Sequence, residues 1–350
     1  MPNPLFFPKP FYSAPALPYR RARFRHKLNR AVKKLAQAVS APVSVPDISI
    51  ADWAEHPSIM NVRLTRTSSS ITAHLPDWPH DWMTKETLHR LPAFIYLLAR
   101  CPAAVDDIVV DLSDGDWPGA GLLSPSSFRD DVILVPDPIF YSRRAYAEIR
   151  NSAATITHDW RARRTEICWR GSDTGCGARM AVADATNNPL VRQRLRAALL
   201  LKDHPACDMR FIGSEYGPTY ERHYEQIGVL GEWVAPDEWL KDRYGLVFDG
   251  HSNSWSSFME RMLQGCCVIK ADSPFGYRQW YYDRLTPWEH YVPVRADLSD
   301  LTEKVDWARA NEDEAEAIAA NGKALAWSMT LKSETDDAVA RITRHFGVTG

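Results

Sequence analysis

Apolar and polar residues alternate along most of the chain in blocks that predict strands and helices in turn. In residues 165–271, four short apolar runs are separated by longer segments with helical spacing, such as PLVRQRLRAALLL and SFMERML; the runs are TEICWRG, DMRFIG, YGLVFDG and CCVIKA. Residues 45–150 alternate similarly, from SIMNVRL and ITAHL through the helix-like KETLHRLPAFIYLLAR to DIVVDL and DVILVP. Such alternation predicts parallel sheets built from βαβ units.

We therefore expect an α/β protein with two Rossmann-like, doubly wound domains facing each other across a cleft. The segment NSAATITHDWRARR at 151–164 is typical of a linker, so the predicted domains are 45–155 and 156–350, preceded by an arm at 1–44. The helix NEDEAEAIAANGKALAWSM and a last helix from about Glu334 are expected to close the second domain.

The arm is strongly basic. Residues 1–34 carry nine lysines and arginines and no acidic residue, so the rest of this chain of net charge −2 carries about −11. From Tyr19 to Val39, Phe24, Leu28 and Val32 recur at helical spacing. Two interpretations stay open: an amphipathic helix at an anionic membrane surface, or a helix that packs on its own domain.

Composition limits the class of protein further. The acidic body argues against a general nucleic-acid-binding protein. The six cysteines show neither metal-ligand nor disulfide spacing, which predicts reduced thiols and a cytoplasmic setting. No apolar run approaches the roughly 18 residues that a membrane span needs. At the N-terminus the charges follow the apolar residues, which is the reverse of the order in a signal peptide.

The segment TEICWRGSDTGCGARM at 165–180 has the residue types of a phosphate site. A predicted strand ends at Arg170, Gly171 and Ser172, a glycine-containing loop follows, and Arg179 comes next. Glycines let backbone N–H groups approach a phosphate, and arginines neutralise its charge. The spacing matches neither a Walker loop nor the dinucleotide fingerprint. A tight turn beside an exposed loop is the alternative.

The segment RYGLVFDGHSNSWSSFMERMLQGCCVIKA at 243–271 predicts a buried strand, a turn at Asp249 and Gly250, and a helix. Ser254 and Ser256 are suited to capping that helix. Its N-terminus is expected at the carboxyl end of the sheet, where free N–H groups and the helix dipole favour a phosphate. Capping alone is the alternative.

Aromatic residues are dense in QWYYDRLTPWEHYVPVRADLSDL at 279–301. Flat rings of this kind stack on sugars and on nucleobases, although a core of tryptophan and tyrosine is the more frequent arrangement. His290 is a candidate base, with a hydrogen-bonded structural histidine as the alternative.

Taken together and in this order, CWRGSDTG, RYGLVFDGHSNSWS, LTPWEHYVPVRADLSDL and NEDEAEAIAANGKA resemble glycosyltransferase family 90. That family includes fungal capsule-associated proteins, protein O-glucosyltransferases that act on EGF repeats, and bacterial lipopolysaccharide glycosyltransferases. The resemblance covers roughly 105–330 and is specific from 165 onward.

The resemblance implies a GT-B fold and inverting, metal-independent transfer of a hexose or pentose from a UDP-sugar. No cofactor or metal is implied, since the UDP-sugar is a co-substrate. The residues that match the donor-binding stretches of the family are Arg170, Gly171, Ser172, Arg179, Asp249, Gly250, Ser254 and Ser256. Phe258 stands where the family usually has an arginine, and Arg261, one turn later, is the candidate substitute.

The aspartates of VVDLSDGDWPGAG at 109–121 allow three interpretations: a D-x-D metal clamp, a general base, or turn residues. The family's catalytic aspartate lies in an R-D-Y-P-like turn, which GDWP matches, so the resemblance assigns the base to Asp116 with Asp114 in support. An inverting transfer needs one such carboxylate to take the proton of the acceptor hydroxyl.

The leading hypothesis is therefore a glycosyltransferase that acts on a lipopolysaccharide or capsule precursor. It is expected in the cytoplasm, where the basic segment 19–39 would hold it peripherally on the inner face of the membrane. A non-catalytic binding protein on the same scaffold, motivated by Phe258, and a protein O-glycosyltransferase are the alternatives. Nucleic-acid binding through the arm has only the charge run in its favour.

Overall fold

The computed structural model describes residues 16–39, 45–76, 81–115, 121–155, 159–181 and 184–348. Its helices are α1 (Ala16–Ala38), α2 (Asp81–Arg100), α3 (Pro138–Ser142), α4 (Ala147–Thr155), α5 (Gln193–Leu201), α6 (Pro218–Gln226), α7 (Ser256–Leu263), α8 (Leu301–Ala310), α9 (Glu312–Ser328) and α10 (Leu331–His345). Its strands are β1 (Asp47–Trp53), β2 (Asn61–Arg66), β3 (Ser70–Pro76), β4 (Asp107–Asp111), β5 (Leu123–Ser124), β6 (Ser126–Ser127), β7 (Ile133–Leu134), β8 (Ile167–Gly171), β9 (Cys207–Phe211), β10 (Tyr244–Val247), β11 (Cys267–Ala271), β12 (Arg278–Gln279) and β13 (Val292–Val294).

The chain divides into two compact units. The first comprises the chain up to Pro125, Asp130–Ser142 and the chain from Leu331 onward, and the second comprises Ser126–Arg129 and Arg143–Thr330. These boundaries differ from the predicted ones at 44 and 155. Helix α1 belongs to the first unit, and so does α10, which was expected in the second.

The first unit contains a six-stranded mixed sheet in the order β1-β3-β2-β4-β5-β7. Strand β2 runs antiparallel to both β3 and β4, whereas β1 pairs with β3, and β4 with β5, in parallel. The doubly wound prediction is therefore wrong for this unit. The physical reason is the short link after β2, where the Thr67 hydroxyl accepts a hydrogen bond from the Ser70 N–H at 3.1 Å and closes a hairpin.

Within the first unit, helix α1 packs against α2 and β1. Its buried side chains recur on one face, and they are Phe24, Leu28, Val32, Leu35 and Ala36. The opposite face is basic and exposed, and no acidic residue occurs in the first turn. Of the two interpretations of this helix, packing on its own domain is the one that the structure shows for the apolar face.

The second unit contains a five-stranded parallel sheet in the order β9-β8-β10-β11-β13. Helices α5 and α8 contact each other, and α7 and α9 form another contacting pair. The four runs TEICWRG, DMRFIG, YGLVFDG and CCVIKA coincide with β8, β9, β10 and β11, so the prediction of a parallel α/β sheet is confirmed here. Strands β10 and β11 are buried at every residue, on both faces of the sheet, whereas the edge strand β9 alternates Asp208 and Arg210 with buried Met209 and Phe211.

None of the helices in the described parts of the chain is long and apolar enough to span a membrane.

Burial of the apolar face of α1 leads to a first prediction. Leu28→Ala should lower the free energy of unfolding by about 2–5 kcal/mol, because Leu28 is fully buried and truncation leaves a cavity. The measurement is chemical denaturation of the full chain. Lys27→Ala, at the exposed neighbouring position, is the control and should change stability by no more than about 0.5 kcal/mol. Equal stability of the two variants would contradict the packing of α1.

Candidate functional site at the sheet switch point

The strand order of the second unit places a crevice at a defined position. The chain passes from β8 outward to β9 and then returns to β10 on the other side of β8, so the winding direction reverses between β8 and β10. In doubly wound sheets, ligands bind outside the carboxyl ends of the strands at this switch point. Both glycine-containing segments singled out in the sequence follow these two strands.

A cavity of about 340 Å³ lies at these strand ends. Its walls come from the loop after β8, the segment leading into α5, the turn after β10, and the loops after β11 and β13. The volume is within the range of small-molecule sites in proteins.

The loop after β8 and the turn after β10 meet closely enough that side chains would not fit between them. A Cβ atom on Gly250 would lie 2.9 Å from Thr174 Oγ1, and one on Gly175 would lie 3.4 Å from the Gly250 carbonyl oxygen. Gly175 also has φ +132°, in the region that favours glycine. The predicted role of Gly250 in a tight turn is consistent with this contact.

Arg194, in the first turn of α5, joins the two segments. Its guanidinium donates to the Ser172 carbonyl at 3.0 Å and to Thr174 Oγ1 at 2.5 Å, both in the loop after β8. It also donates to the Phe248 carbonyl at 3.1 Å, directly after β10. One side chain therefore satisfies backbone carbonyls from both sides of the switch point.

The charge of Arg194 persists at neutral pH. Burial lowers the pKa of its guanidinium to about 10, and the nearby carboxylate of Asp249 opposes that shift. The buried Nε of Arg194 has no hydrogen-bond partner among the described residues. The guanidinium of Arg194 therefore keeps a positive charge between the two loops, although Arg194 does not itself line the cavity.

Asp173 anchors the other side of the loop. Its buried carboxylate accepts hydrogen bonds from Ser214 Oγ at 2.6 Å, the Glu215 N–H at 3.1 Å and the Tyr224 hydroxyl at 2.9 Å. Three donors on one carboxylate hold the loop in place.

Asp249 faces the cavity, but its chemistry differs from that of a phosphate ligand. Its Oδ1 lies 2.8 Å from the Lys270 ammonium, and both side chains are at most 5% exposed. Its Oδ2 is buried without a partner among the described residues. A carboxylate repels a phosphate, so Asp249 does not grip a diphosphate.

Helix α7 begins beside the turn after β10. Ser254 is buried, and its carbonyl accepts from Ser257 Oγ at 2.9 Å. Ser256 is the first residue of the helix. Trp255, at the N-cap, has φ +48°, which is a strained conformation for a side chain of this size. The helix N-terminus thus lies at the carboxyl edge of the sheet, as predicted.

Phe258 is fully buried in an aromatic cluster. Its ring contacts those of Tyr281, Tyr282 and Tyr291 edge-to-face, at centroid distances of 6.2, 5.9 and 5.5 Å. Burial and the charge of Asp249 raise the pKa of the Tyr282 hydroxyl well above its ordinary value. The aromatic density at 279–291 therefore serves packing here.

Arg261 does not replace the arginine absent at Phe258. Its guanidinium lies 3.5 Å from the centroid of the Trp239 ring and donates to Gln264 Oε1 at 2.6 Å. Its stem packs against Gly245, within β10. It is absent from the walls of the cavity. The expectation for Arg261 is corrected, because one helical turn rotates it away from the switch point. Arg194 is the cation that bonds to both loops there, and Arg196 is the arginine that lines the cavity.

The two arginines predicted around the glycine loop also have protein partners. Arg170 forms an ion pair with Asp208 and donates to the Trp169 and Glu232 carbonyls at 2.9 and 3.1 Å. Arg179 lies with its guanidinium carbon 3.2 Å from the centroid of the Tyr216 ring. Neither lines the cavity. Gly171 ends β8, and Ser172 contributes its carbonyl to Arg194 as described above.

The aspartates predicted for catalysis lie in the first unit. Asp116 is outside the described residues, so its role as base stays a prediction. Asp114 forms an ion pair with Arg90 at 2.8 Å. Gly115, with φ +89°, donates its N–H to Ser113 Oγ at 2.9 Å, which makes the described part of this segment a tight turn.

His290 has a structural role. Its Nδ1 accepts a hydrogen bond from the Thr286 N–H at 3.0 Å, and its side chain is largely buried. In the segment that follows, Asp297 accepts from the Ser299 N–H at 3.0 Å and Asp300 from the Arg295 N–H at 2.9 Å. The DLSD residues thereby shape the loop that closes one wall of the cavity.

The possible metal ligands that the structure groups together lie elsewhere. Glu166, Cys168 and Asp208 have ligand atoms within 4.8 Å of one another, on β8, β9 and the residue before β8. Arg170 already pairs with Asp208, and burial raises the pKa of the Cys168 thiol to about 12. A protonated thiol beside an ion pair is a poor donor set for a divalent cation. The structure shows no disulfide bond among the six cysteines.

Sequence reasoning missed three residues of the site: Gln193, Arg194 and Lys270. Gln193 and Arg194 were read only as parts of a helix, and Lys270 only as part of a strand. The sequence does contain a signal for these residues. Arg192, Arg194 and Arg196 alternate at the start of a helix that is otherwise apolar, and arginines in such a position are expected to have polar partners. Which of them faces a loop depends on the tertiary structure.

With this geometry established, comparison with known proteins assigns the family. A model of the Glycosyl transferase family 90 matches residues 143–335, which is more than half of the chain. The chain belongs to glycosyltransferase family 90. The matched residues include β8, β10, Arg194 and the cavity of the second unit.

Three relatives illustrate the family match. Uncharacterized protein 035R of Invertebrate iridescent virus 3 is 32% identical over 178 residues, which cover 49% of this chain and 16% of the viral protein. Protein O-glucosyltransferase 3 of Homo sapiens is 33% identical over 135 residues, 38% of this chain and 25% of the relative. Protein O-glucosyltransferase 1 of Rattus norvegicus is 46% identical over 168 residues, which cover 47% of this chain and 36% of the relative. The chain thus spans well under half the length of each relative.

The bridge made by Arg194 leads to a second prediction. Arg194→Met should lower the free energy of unfolding by about 2–4 kcal/mol, because three acceptors lose a charged donor. Denaturant unfolding measures this. Arg222→Met is the matched control, since Arg222 is exposed and makes a single long hydrogen bond to Thr219. If the two variants lost the same stability, the bridge would not be what holds the loops together.

Proposed function

We propose that this family 90 chain transfers a hexose or pentose from a UDP-sugar to a hydroxyl of a cell-surface glycan precursor, of the lipopolysaccharide or capsule kind. Transfer proceeds with inversion and without a metal, on a fold of the GT-B type. The second unit binds the donor, and Asp116 of the first unit is the base.

The observation that supports this proposal is the arrangement at the switch point. The loop after β8, the turn after β10 and the first residues of α5 and α7 all lie at the carboxyl edge of one parallel sheet. Helix N-termini attract anions through their free N–H groups and dipoles. Arg194 adds a full positive charge that stays on the side chain at neutral pH. The edge is therefore electrostatically suited to a diphosphate.

The positive charges of Arg194 and of the helix N-termini also stabilise the leaving group during the reaction. As the bond between the anomeric carbon and the diphosphate breaks, negative charge grows on the departing UDP, and preorganised positive groups stabilise it. A carboxylate on the opposite side takes the proton from the acceptor hydroxyl. Neither task requires a metal ion when the cation and the helix dipoles are already in place.

The nature of the acceptor is inferred from the charge of α1. The exposed basic face of α1 carries Arg23, Arg25, Lys27, Arg30 and Lys33, which suits an acceptor at an anionic membrane surface in the cytoplasm. Because the apolar face of α1 is buried, such attraction would be electrostatic rather than insertion. The names of the relatives favour a protein hydroxyl as the second candidate acceptor.

A third prediction concerns the donor. Thermal unfolding of the full chain, measured with a panel of nucleotide sugars, should shift upward with one UDP-sugar. The stabilisation reaches about 2.7 kcal/mol at a hundred times the dissociation constant. The shift should persist in excess chelator, because Arg194 and the helix N-termini supply the positive charge.

The same series with manganese discriminates the alternatives. A shift that required manganese would contradict the metal-independent mechanism. Absence of a shift with every nucleotide would contradict the donor proposal and favour the non-catalytic scaffold that Phe258 suggested.

A fourth prediction tests the base. Asp116→Asn should lower the rate of sugar transfer by about 10²–10⁴-fold, because the amide cannot accept the acceptor's proton, while donor binding stays unchanged. Product formation with the identified UDP-sugar is the measurement. Asp114→Asn is the control: its carboxylate pairs with Arg90, so its effect on the rate should be much smaller. Comparable losses in both variants would remove the distinct role assigned to Asp116.

A further inference from the structure

A buried negative charge lies at the same edge of the sheet as the cation and the helix N-termini. It belongs to Asp249, in the turn after β10, whose side chain is 2% exposed. Burial lowers the pKa of the Arg194 guanidinium and the charge of Asp249 opposes that shift, so the two groups are within electrostatic reach of each other. A carboxylate in this position also repels any phosphate that Arg194 attracts. The edge is therefore suited to a diphosphate only if the charge of Asp249 is compensated.

Lys270 is the direct cationic partner of Asp249. Its ammonium lies 2.8 Å from Asp249 Oδ1 and also donates to the Ala271 carbonyl. Strand β11 carries Lys270 beside β10, in register with Val247, so the lysine side chain reaches the turn that follows β10. Lys270 does not itself line the cavity, so its charge acts on a ligand through Asp249.

A lysine in this strand calls for an explanation other than stability. Strand β11 is buried at every residue, and the rest of it is apolar. Lysine is almost never fully buried unless it is paired. Replacing a buried ion pair by apolar residues of similar volume is often neutral or stabilising, whereas removing one partner leaves an uncompensated charge. The pair is therefore poorly explained by stability and well explained by the need to cancel a charge.

A second carboxylate depends on the same ammonium. Asp272, two residues after Lys270, interacts electrostatically with both Lys270 and Asp249. Loss of the ammonium would leave these two carboxylates without the cation that lies between them in charge. The potential at the ends of β10 and β11 would then become more negative, and the attraction that Arg194 exerts on an anion would weaken.

We propose that Lys270 is a positioning residue, which holds the Asp249 carboxylate in the protein interior and cancels its charge so that the edge of the sheet accepts a diphosphate. This rests on the proposed UDP-sugar donor and extends it to a buried residue that does not contact the donor. The role is electrostatic, so it is separable from the shape of the turn.

The experiment is isothermal titration of UDP into the full chain and three variants at low ionic strength, where charges act over the longest range. In Lys270→Met the dissociation constant of UDP should rise at least about tenfold, because Asp249 is then uncompensated. In Asp249→Asn it should be equal to that of the wild type or lower. In the double variant Asp249→Asn/Lys270→Met it should return to within about threefold of the wild type, because neither charge remains.

A purely structural role of the pair predicts a different order. Both single variants and the double variant lose the contact between β11 and the turn, so all three would bind UDP comparably weakly. Denaturant unfolding shows which variants are folded at the temperature of the titration. Should Lys270→Met be unfolded there, Asp249→Asn and the double variant still decide, since no carboxylate is left uncompensated at position 249 in either.

The control is Lys241→Met. Lys241 is also a lysine of the second unit and pairs with a carboxylate, that of Glu238 at 2.6 Å, but both side chains are exposed and neither residue lines the cavity. Removing this charge should change the dissociation constant of UDP by no more than about twofold, because an exposed pair is screened by solvent.

The outcomes separate this inference from the function on which it rests. Wild-type affinity for UDP in folded Lys270→Met would overturn the role of Lys270 and leave the UDP donor standing. Tenfold weaker binding in Asp249→Asn, or in the double variant, would overturn it as well and assign the pair a structural role. Absence of UDP binding to the wild-type chain would overturn both proposals.

Discussion

The site depends on how the ends of β8 and β10 are held where the winding of the sheet reverses. Strand ends at the edge of a parallel sheet expose carbonyl groups that must find donors. Arg194 supplies these donors to both sides at once, through Ser172, Thr174 and Phe248. The absence of a side chain at Gly250 makes this approach possible, since a Cβ atom there would lie 3.3 Å from the guanidinium. The shape of the crevice follows from this one bridge.

Charge is divided within the site. The negative charge of Asp249 is compensated by Lys270, buried beside it, whereas Arg194 has only neutral acceptors as direct partners. The uncompensated charge between the loop after β8 and the turn after β10 is therefore positive.

For helix α1 and for Phe258, the sequence predicts the local structure but not what the side chains contact. The spacing of Phe24 and Leu28 correctly indicates an amphipathic helix, but a buried face against α2 and a face in lipid have the same periodicity. Phe258 stands where the resemblance predicts an arginine, and its ring packs edge-to-face against three tyrosine rings. The pattern of residues around it did not predict this aromatic cluster.

The sequence by itself determined the parallel α/β sheet of the second unit, the tight turn at Gly250, the amphipathic nature of α1 and, through its motifs, the family. These are local properties, set by apolar runs, glycine positions and helical spacing. The tertiary structure alone decided that β2 pairs with β4, that Arg261 turns toward Trp239 while Arg194 bonds to both loops at the switch point, and that Lys270 lies beside Asp249. Each of these depends on contacts between segments far apart in the chain, and a pattern of residue types carries no information on which distant carbonyl a given side chain meets.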